Sequence, residues 1–167
     1  EEVDVGWRRE ELFSAGAAHY VMFGVMDRPD VRSPEEQAQL SAPTREYPVT
    51  MRRIPRLEFD ESERFRARMY ADMAHLFRRY KALITPATAV SSIRADMPLE
   101  NADLTINGQR VDPLWDWCLS YPFNMLGHLP SASAPSGRSA MEVPTGVQIV
   151  GHPFDEAAVL RIGAALE

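Results

Sequence analysis

The chain has 167 residues, 45% hydrophobic and 25% charged, with a formal charge of −6. This is the composition of one globular domain with a core of its own, and the negative balance argues against a nucleic-acid or anionic-membrane partner. The single cysteine, Cys118, excludes an internal disulfide and favours a reducing compartment, the cytoplasm.

No apolar run reaches the roughly 18 residues of a membrane span, and no basic-then-apolar leader is present, so neither insertion nor export is expected. The opening Glu1-Glu2-Val3-Asp4-Val5 carries no methionine and reads like the middle of a longer frame. Val3–Val5 is expected to form a short strand. Glu10 to about Val25 carries Leu12, Phe13, Ala17, Tyr20 and Met22-Phe23 at helical spacing. Residues 27–58 hold five prolines and are expected to be an irregular segment with short helical pieces.

The clearest helix is expected from Asp60 to Tyr80. Asp60 and Glu63 have capping-box spacing, and Phe65, Met69, Met73, Leu76, Phe77 and Tyr80 make one apolar stripe. Ala82-Leu83-Ile84 reads as a short buried strand stopped at Pro86. In Leu104–Val111, Asn107-Gly108 suits the two positive φ angles of a type I′ hairpin turn. Pro113 is expected to open a short helix through Trp115, Trp117 and Leu119. Ser131–Ala134 and Gly146–Val150 read as buried strands. Asp155 is expected to cap a final helix to Leu166, with Phe154 and Val159 forming a hydrophobic staple. The alternation predicts an α/β fold, a sheet covered by helices.

The most provocative stretch chemically is 127–154, rich in serine, glycine and proline. It matches no phosphate-loop pattern, and Asp155-Glu156 at the following helix start would repel an anion. Ser131, Ser133, Ser136 and Ser139 lack a G-x-S-x-G elbow; His128 and His152 flank them without a forced placement. Cys118 sits in an apolar segment, where a thiol is ordinarily an unactivated small hydrophobe. His19, His75, His128 and His152 are scattered without metal-ligand spacing, so neither a metal nor a cofactor is expected.

Several segments, in order, resemble the C-terminal half of the amidase signature family, hydrolases of linear carboxylic amides. Tyr80-Lys-Ala-Leu-Ile-Thr-Pro86 is similar to the family's Tyr-Asp-Ala-Leu-Leu-Thr-Pro. Tyr121-Pro-Phe-Asn-Met-Leu-Gly-His-Leu-Pro130 resembles Pro-x-Asn-x-x-Gly-x-Pro, and Ser133-Ala-Pro-Ser-Gly137 resembles Ser-x-Pro-x-Gly. Pro144-Thr-Gly-Val-Gln-Ile-Val-Gly151 resembles Pro-x-Gly-x-Gln-x-x-Gly. The likeness covers about residues 60–167, and Glu1–Trp7 is similar to a Val-Glu-Glu-Val-Asp-x-x-Trp stretch of such enzymes.

The resemblance implies a large mixed sheet between helices, residues 1–167 forming a partial domain, and catalysis by a serine–cis-serine–lysine triad beside a Gly-Gly-Ser-Ser-Gly-Gly type loop. Those groups belong to the family's N-terminal half. Here 17 of the 18 basic residues are arginine, which does not serve as a general base. The one lysine, Lys81, stands where the family pattern has Asp; the one Ser-Ser pair, Ser91-Ser92, has no adjacent glycine; no two glycines are neighbours. The expectation is therefore no catalytic residue and no amide hydrolysis by this chain alone.

The resemblance places Trp115–Gly127 near the family's acyl pocket. Trp117, Tyr121 and Phe123 are candidates for the pocket wall and Asn124 for a polar positioning contact, against the competing reading that Trp115, Trp117 and Phe123 are core aromatics. Asp116 is a further polar candidate, set against a solvated carboxylate. The aromatic content favours an aryl or apolar amide over glutaminyl-tRNA. Two functions follow: the C-terminal part of an amidase, with the N-terminal half of the domain as partner and a small amide as substrate, or a non-catalytic binding or assembly module on the same fold.

Overall fold

The computed structural model of the chain describes residues 1–20, 33–40, 58–97, 103–113 and 116–166. In chain order they form α1 (Arg9–Tyr20), α2 (Pro34–Ala38), α3 (Phe59–Leu76), β1 (Ala82–Pro86), β2 (Thr105–Ile106), β3 (Gln109–Arg110), α4 (Tyr121–Asn124), β4 (Ser131–Arg138), β5 (Pro144–Gly151) and α5 (Glu156–Leu166). No described helix is long and apolar enough to cross a membrane. Apart from residues 33–40 and 58, the proline-rich stretch 27–58 lies outside the described residues, as do Met22-Phe23 and Trp115.

The centre is a three-stranded sheet in the order β1-β5-β4, antiparallel at both pairings. β5 is covered on both faces, which explains why Val147-Gln-Ile-Val150 is nearly continuously apolar rather than alternating. Ile149 turns to α5, meeting Ala134 and Val159. Val150 turns the other way, to a cluster holding Phe65, Met69, Met73 and Phe77 of the α3 stripe with Leu83, Phe123 and Leu126. Met69, Leu126, Ile149 and Val150 are fully buried, each side chain contributing about 1.5–3 kcal/mol by leaving water. α1 packs on α3 through the small buried residues Ala15, Ala17 and Ala18, and the buried Ser62 hydroxyl donates to the Ala15 carbonyl at 3.0 Å.

Local chemistry sets several boundaries as expected. Asn107 and Gly108 take φ of 50° and 76°, turning β2 into β3. The Asp155 carboxylate accepts the Ala158 N–H at 3.1 Å and caps α5. The turn from β4 to β5 is closed by Ser139, whose hydroxyl oxygen accepts the N–H groups of Met141 and Val143.

Other expectations are corrected. Val3–Val5 is not a strand: Asp4 accepts the Gly6 N–H at 2.8 Å, Gly6 has φ +70°, and this turn sends the valines onto the core as an irregular segment. α3 begins at Phe59 with Glu58 at its cap position and no side-chain cap. Asp60 is therefore inside the helix, pairing with Arg64 at 2.8 Å, and the capping box does not form. α3 also ends at Leu76, short of the expected Tyr80. Residues 116–119 are turns and a bridge, not the helix expected from Pro113; a four-residue helix, α4, follows instead. β4 runs on to Arg138 and is largely exposed rather than buried. Phe154 has φ +62° and is 77% exposed, so no staple to Val159 closes.

Candidate functional site

The segment 116–124 is held to the rest of the domain at three levels. Backbone comes first: Ala89 donates to the Trp117 carbonyl at 2.8 Å, and Leu119 donates to the Ala87 carbonyl at 3.0 Å. This bridge, centred on Thr88 and Cys118, continues β1 beyond Pro86. A buried amide comes second. Gln148, 6% exposed within β5, donates from Nε2 to the Thr85 hydroxyl (2.9 Å) and the Leu119 carbonyl (3.0 Å). An uncharged amide is suited to this place, since a buried polar group must find partners and a charge would cost more.

An ion pair comes third. The Asp116 side chain is only 4% exposed, pairs with the Arg9 guanidinium at the start of α1, and accepts the Asp112 N–H at 3.0 Å. Arg9 is held above its ordinary pKa chiefly by its hydrogen bond to Asp116. The Tyr121 phenol is pushed up by burial, with the Asp116 charge adding to the effect and Arg9 opposing it. A solvated Asp116 is thus corrected: its carboxylate links Arg9 of α1 to Asp112 and lies beside Tyr121 of α4.

The four pocket candidates fall in different environments. Trp117 is half-buried and donates its indole N–H to the Pro113 carbonyl at 3.1 Å. Tyr121 is buried beside Asp116 and Arg9. Phe123, 8% exposed, belongs to the main core and packs its ring 5.9 Å from that of Trp7. Asn124 is exposed. Sequence reasoning passed over Arg9, which lies 107 residues from Asp116, and the part played by Thr85, 63 residues from Gln148. Gln148 had two visible signals, an amide inside an apolar strand and the Gln of the Pro-x-Gly-x-Gln-x-x-Gly pattern.

The groups that carry acyl-transfer chemistry do not converge here. Lys81, Ser91 and Ser92 are exposed. Cys118 Sγ lies 3.1 Å from Ser120 Oγ, without a base in that pair. His152 stacks on Phe77 (5.7 Å) and His128 on Tyr70 (6.2 Å) and Phe154 (6.0 Å), so both imidazoles sit against aromatic rings. Ser136 spends its hydroxyl on Thr145 at 3.0 Å. A concavity of about 400 Å³ lies apart from segment 116–124, between the first five residues and the end of α3, lined by Glu1, Asp4, Asp72, His75, Arg79 and Tyr80.

Helices on both faces of a three-stranded antiparallel sheet place the chain in the mixed α/β class. The family model described as Amidase matches residues 31–160, and the chain belongs to that family, the amidase signature enzymes. It is similar to the acylamidase of Rhodococcus erythropolis (31% identity; 69% of this chain, 24% of the relative). A glutamyl-tRNA(Gln) amidotransferase polypeptide of Granulibacter bethesdensis is 35% identical over 64% of this chain and 20% of its own length. The fatty acid amide hydrolase of Medicago truncatula matches at 25% identity over 94% of this chain and 26% of its own. The solved structure of a bacterial aryl acylamidase shares the fold, with a TM-score of 0.70 at 24% identity, covering 100% of this chain and 36% of that one. The chain thus spans 20–26% of the length of these curated relatives.

Proposed function

We propose that this chain is the C-terminal part of an amidase that cleaves the C–N bond of a linear carboxylic amide, and that it is inactive without the polypeptide carrying the triad. The observation that carries the reading is a mismatch. The segment 116–124 is braced by Gln148, Arg9 and a backbone bridge, yet the chain's one lysine and one Ser-Ser pair are solvent-exposed and without a glycine loop. An activated serine needs a base within hydrogen-bond reach and a preorganised oxyanion hole, and among the described residues no hydrogen bond joins Ser91 or Ser92 to a base. What the chain offers is wall: Trp117 and Tyr121 as flat apolar surface and Asn124 as an exposed amide, suited to positioning an apolar or aryl acyl group.

The test is an anilide-hydrolysis assay on the purified chain and on the chain mixed with a separately expressed N-terminal amidase half. No turnover alone and turnover in the mixture is the expected result. Turnover by the chain alone after rigorous purification would overturn the reading. A soluble chain that binds amides but never restores activity would favour the non-catalytic binding module.

A further inference from the structure

We propose that Arg9 is a positioning residue for the acyl site: through the buried Asp116 carboxylate it aims the Trp117 ring and so sets a preference for an aryl over a small acyl group. This rests on the reading that Trp117 and Tyr121 form the pocket wall.

The path runs through a turn that closes on itself. The Asp116 N–H donates to the Asp112 carbonyl at 3.3 Å, and the Asp112 N–H donates back to Asp116 Oδ2 at 3.0 Å. The Trp117 indole N–H returns to the same turn, to the Pro113 carbonyl at 3.1 Å. The backbone at 117–119 is pinned separately, by the Ala89 N–H on the Trp117 carbonyl and the Leu119 N–H on the Ala87 carbonyl. What the turn adds is the direction of the ring, because the indole has one polar atom and it bonds to the turn, not to the sheet.

Arg9 ties that turn to α1. Its Nη2 donates to Asp116 Oδ2, the same oxygen that holds the Asp112 N–H. One carboxylate oxygen thus carries both the closure of the turn and its link to a helix. That helix is a firm reference, since it is seated on α3 through the buried Ala15, Ala17 and Ala18. Arg9 opens α1, where a cation faces the positive end of the helix dipole. Arginine is a poor choice there on local grounds, and a buried anion in front of it removes the conflict. Asp116, 4% exposed, is that anion, and the planar guanidinium holds a direction that a flexible ammonium does not.

Both residues lie outside every segment that resembles the family's patterns, so those patterns do not call for the link. The pair stands behind both rings of the wall: Trp117 through the turn, and Tyr121 buried beside it. An aryl acyl group needs flat surfaces at a fixed angle, whereas an acetyl group is too small to span them. Loss of Arg9 should accordingly act on recognition of the ring more than on the acyl transfer itself.

The test uses the mixture of this chain with a separately expressed N-terminal amidase half, and compares benzoyl and acetyl 4-nitroanilides. Arg9→Gln is expected to raise KM for the benzoyl substrate at least about fivefold more than for the acetyl one, with kcat for both falling by less than about twofold. Arg9→Lys, which keeps the charge, should recover part of the difference. Arg64→Gln, at an exposed ion pair on α3, should change neither KM. An equal loss of kcat on both substrates, as a merely structural pair would give, or no change at all, overturns the positioning role and leaves the proposed function standing. If the parent mixture hydrolyses neither substrate, the proposed function falls, and benzamide binding to the 167-residue chain decides the positioning role, followed by the Trp117 indole N–H resonance. A displaced resonance with at least about fivefold weaker binding in Arg9→Gln supports it. No benzamide binding by the parent, an unmoved resonance or an equal affinity overturns it.

Discussion

Gln148 reaches across from β5 to donate to the Leu119 carbonyl at 3.0 Å, with Thr85 taking its second proton at 2.9 Å. One amide thus fixes the spacing between the central strand, the β1 edge and the loop that enters α4. Gln148→Leu keeps the shape but leaves the Leu119 carbonyl and the Thr85 hydroxyl without this donor. A loss of roughly 1–3 kcal/mol is expected in urea unfolding. Gln148→Glu should be worse, since it buries a charge that accepts where donors are needed.

Two glycines on the same helix–sheet contact should respond with opposite signs. A Cβ on Gly151 would overlap Val159 Cγ2, whereas one on Gly163 would meet Ile149 Cδ1 at an ordinary 3.7 Å. Gly151→Ala should therefore lower stability by about 1–3 kcal/mol through overpacking. Gly163→Ala, inside α5, should raise it by up to about 1 kcal/mol by restricting the unfolded chain and improving helix propensity. Thermal melts of the two variants against the parent check both signs.

The Arg9–Asp116 pair predicts an asymmetric mutational response. Arg9→Ala strands a carboxylate that is 4% exposed, whereas Asp116→Asn keeps a hydrogen-bonding group and removes the charge. Arg9 is itself 42% exposed, so water offsets part of the loss and about 1–3 kcal/mol is the expected cost of Arg9→Ala. Asp116→Asn should cost less, and Arg9→Ala/Asp116→Asn together less than the two singly added. A double-mutant cycle by denaturant unfolding measures this coupling.

Stability should fall with acidification through the α1–α3 contact. Burial, reinforced by Arg66, lowers the His19 pKa below its ordinary value, with Glu63 opposing; Glu63 is itself lowered, chiefly by its hydrogen bond to Arg66. The unfolded chain then binds more protons than the folded one wherever His19 is protonated only when unfolded. The His19 contribution is fully present above about pH 6.5 and is lost as pH falls from there through the folded pKa. The Glu63 contribution is lost lower still, below about pH 4.5. Unfolding free energies of the parent and His19→Gln between about pH 7.5 and 5 should converge as pH falls; parallel curves would discard His19 as the group responsible.

Much of this architecture was legible in short windows of residues because its causes are short-ranged. Asn107-Gly108 turns wherever it stands, since its backbone takes positive φ at low cost. Asp155 caps α5 using an N–H three residues on. The stripe Phe65, Met69, Met73 and Phe77 is buried as its spacing demands. That no two glycines are neighbours, and that the one lysine, Lys81, lies outside any glycine–serine loop, was equally plain from residue order.

The errors arose where a local motif met a competing partner or a competing backbone geometry. Asp60 had capping spacing, but the helix starts a residue earlier, and the carboxylate pairs with Arg64 instead. Phe154 had staple spacing, but a positive φ turns it away from Val159 and beside His128. Asp116 looked like a solvated acid because its partner Arg9 is 107 residues away.

Residue order alone thus pointed to the family and gave the secondary-structure rhythm and the absence of adjacent glycines, for these rest on spacing and composition. Which polar groups are buried and how the segment 116–124 is held were settled in three dimensions. Gln148, Thr85 and Leu119 become neighbours only after β1 and β5 pair, and a polar side chain's burial depends on the partner that folding brings to it.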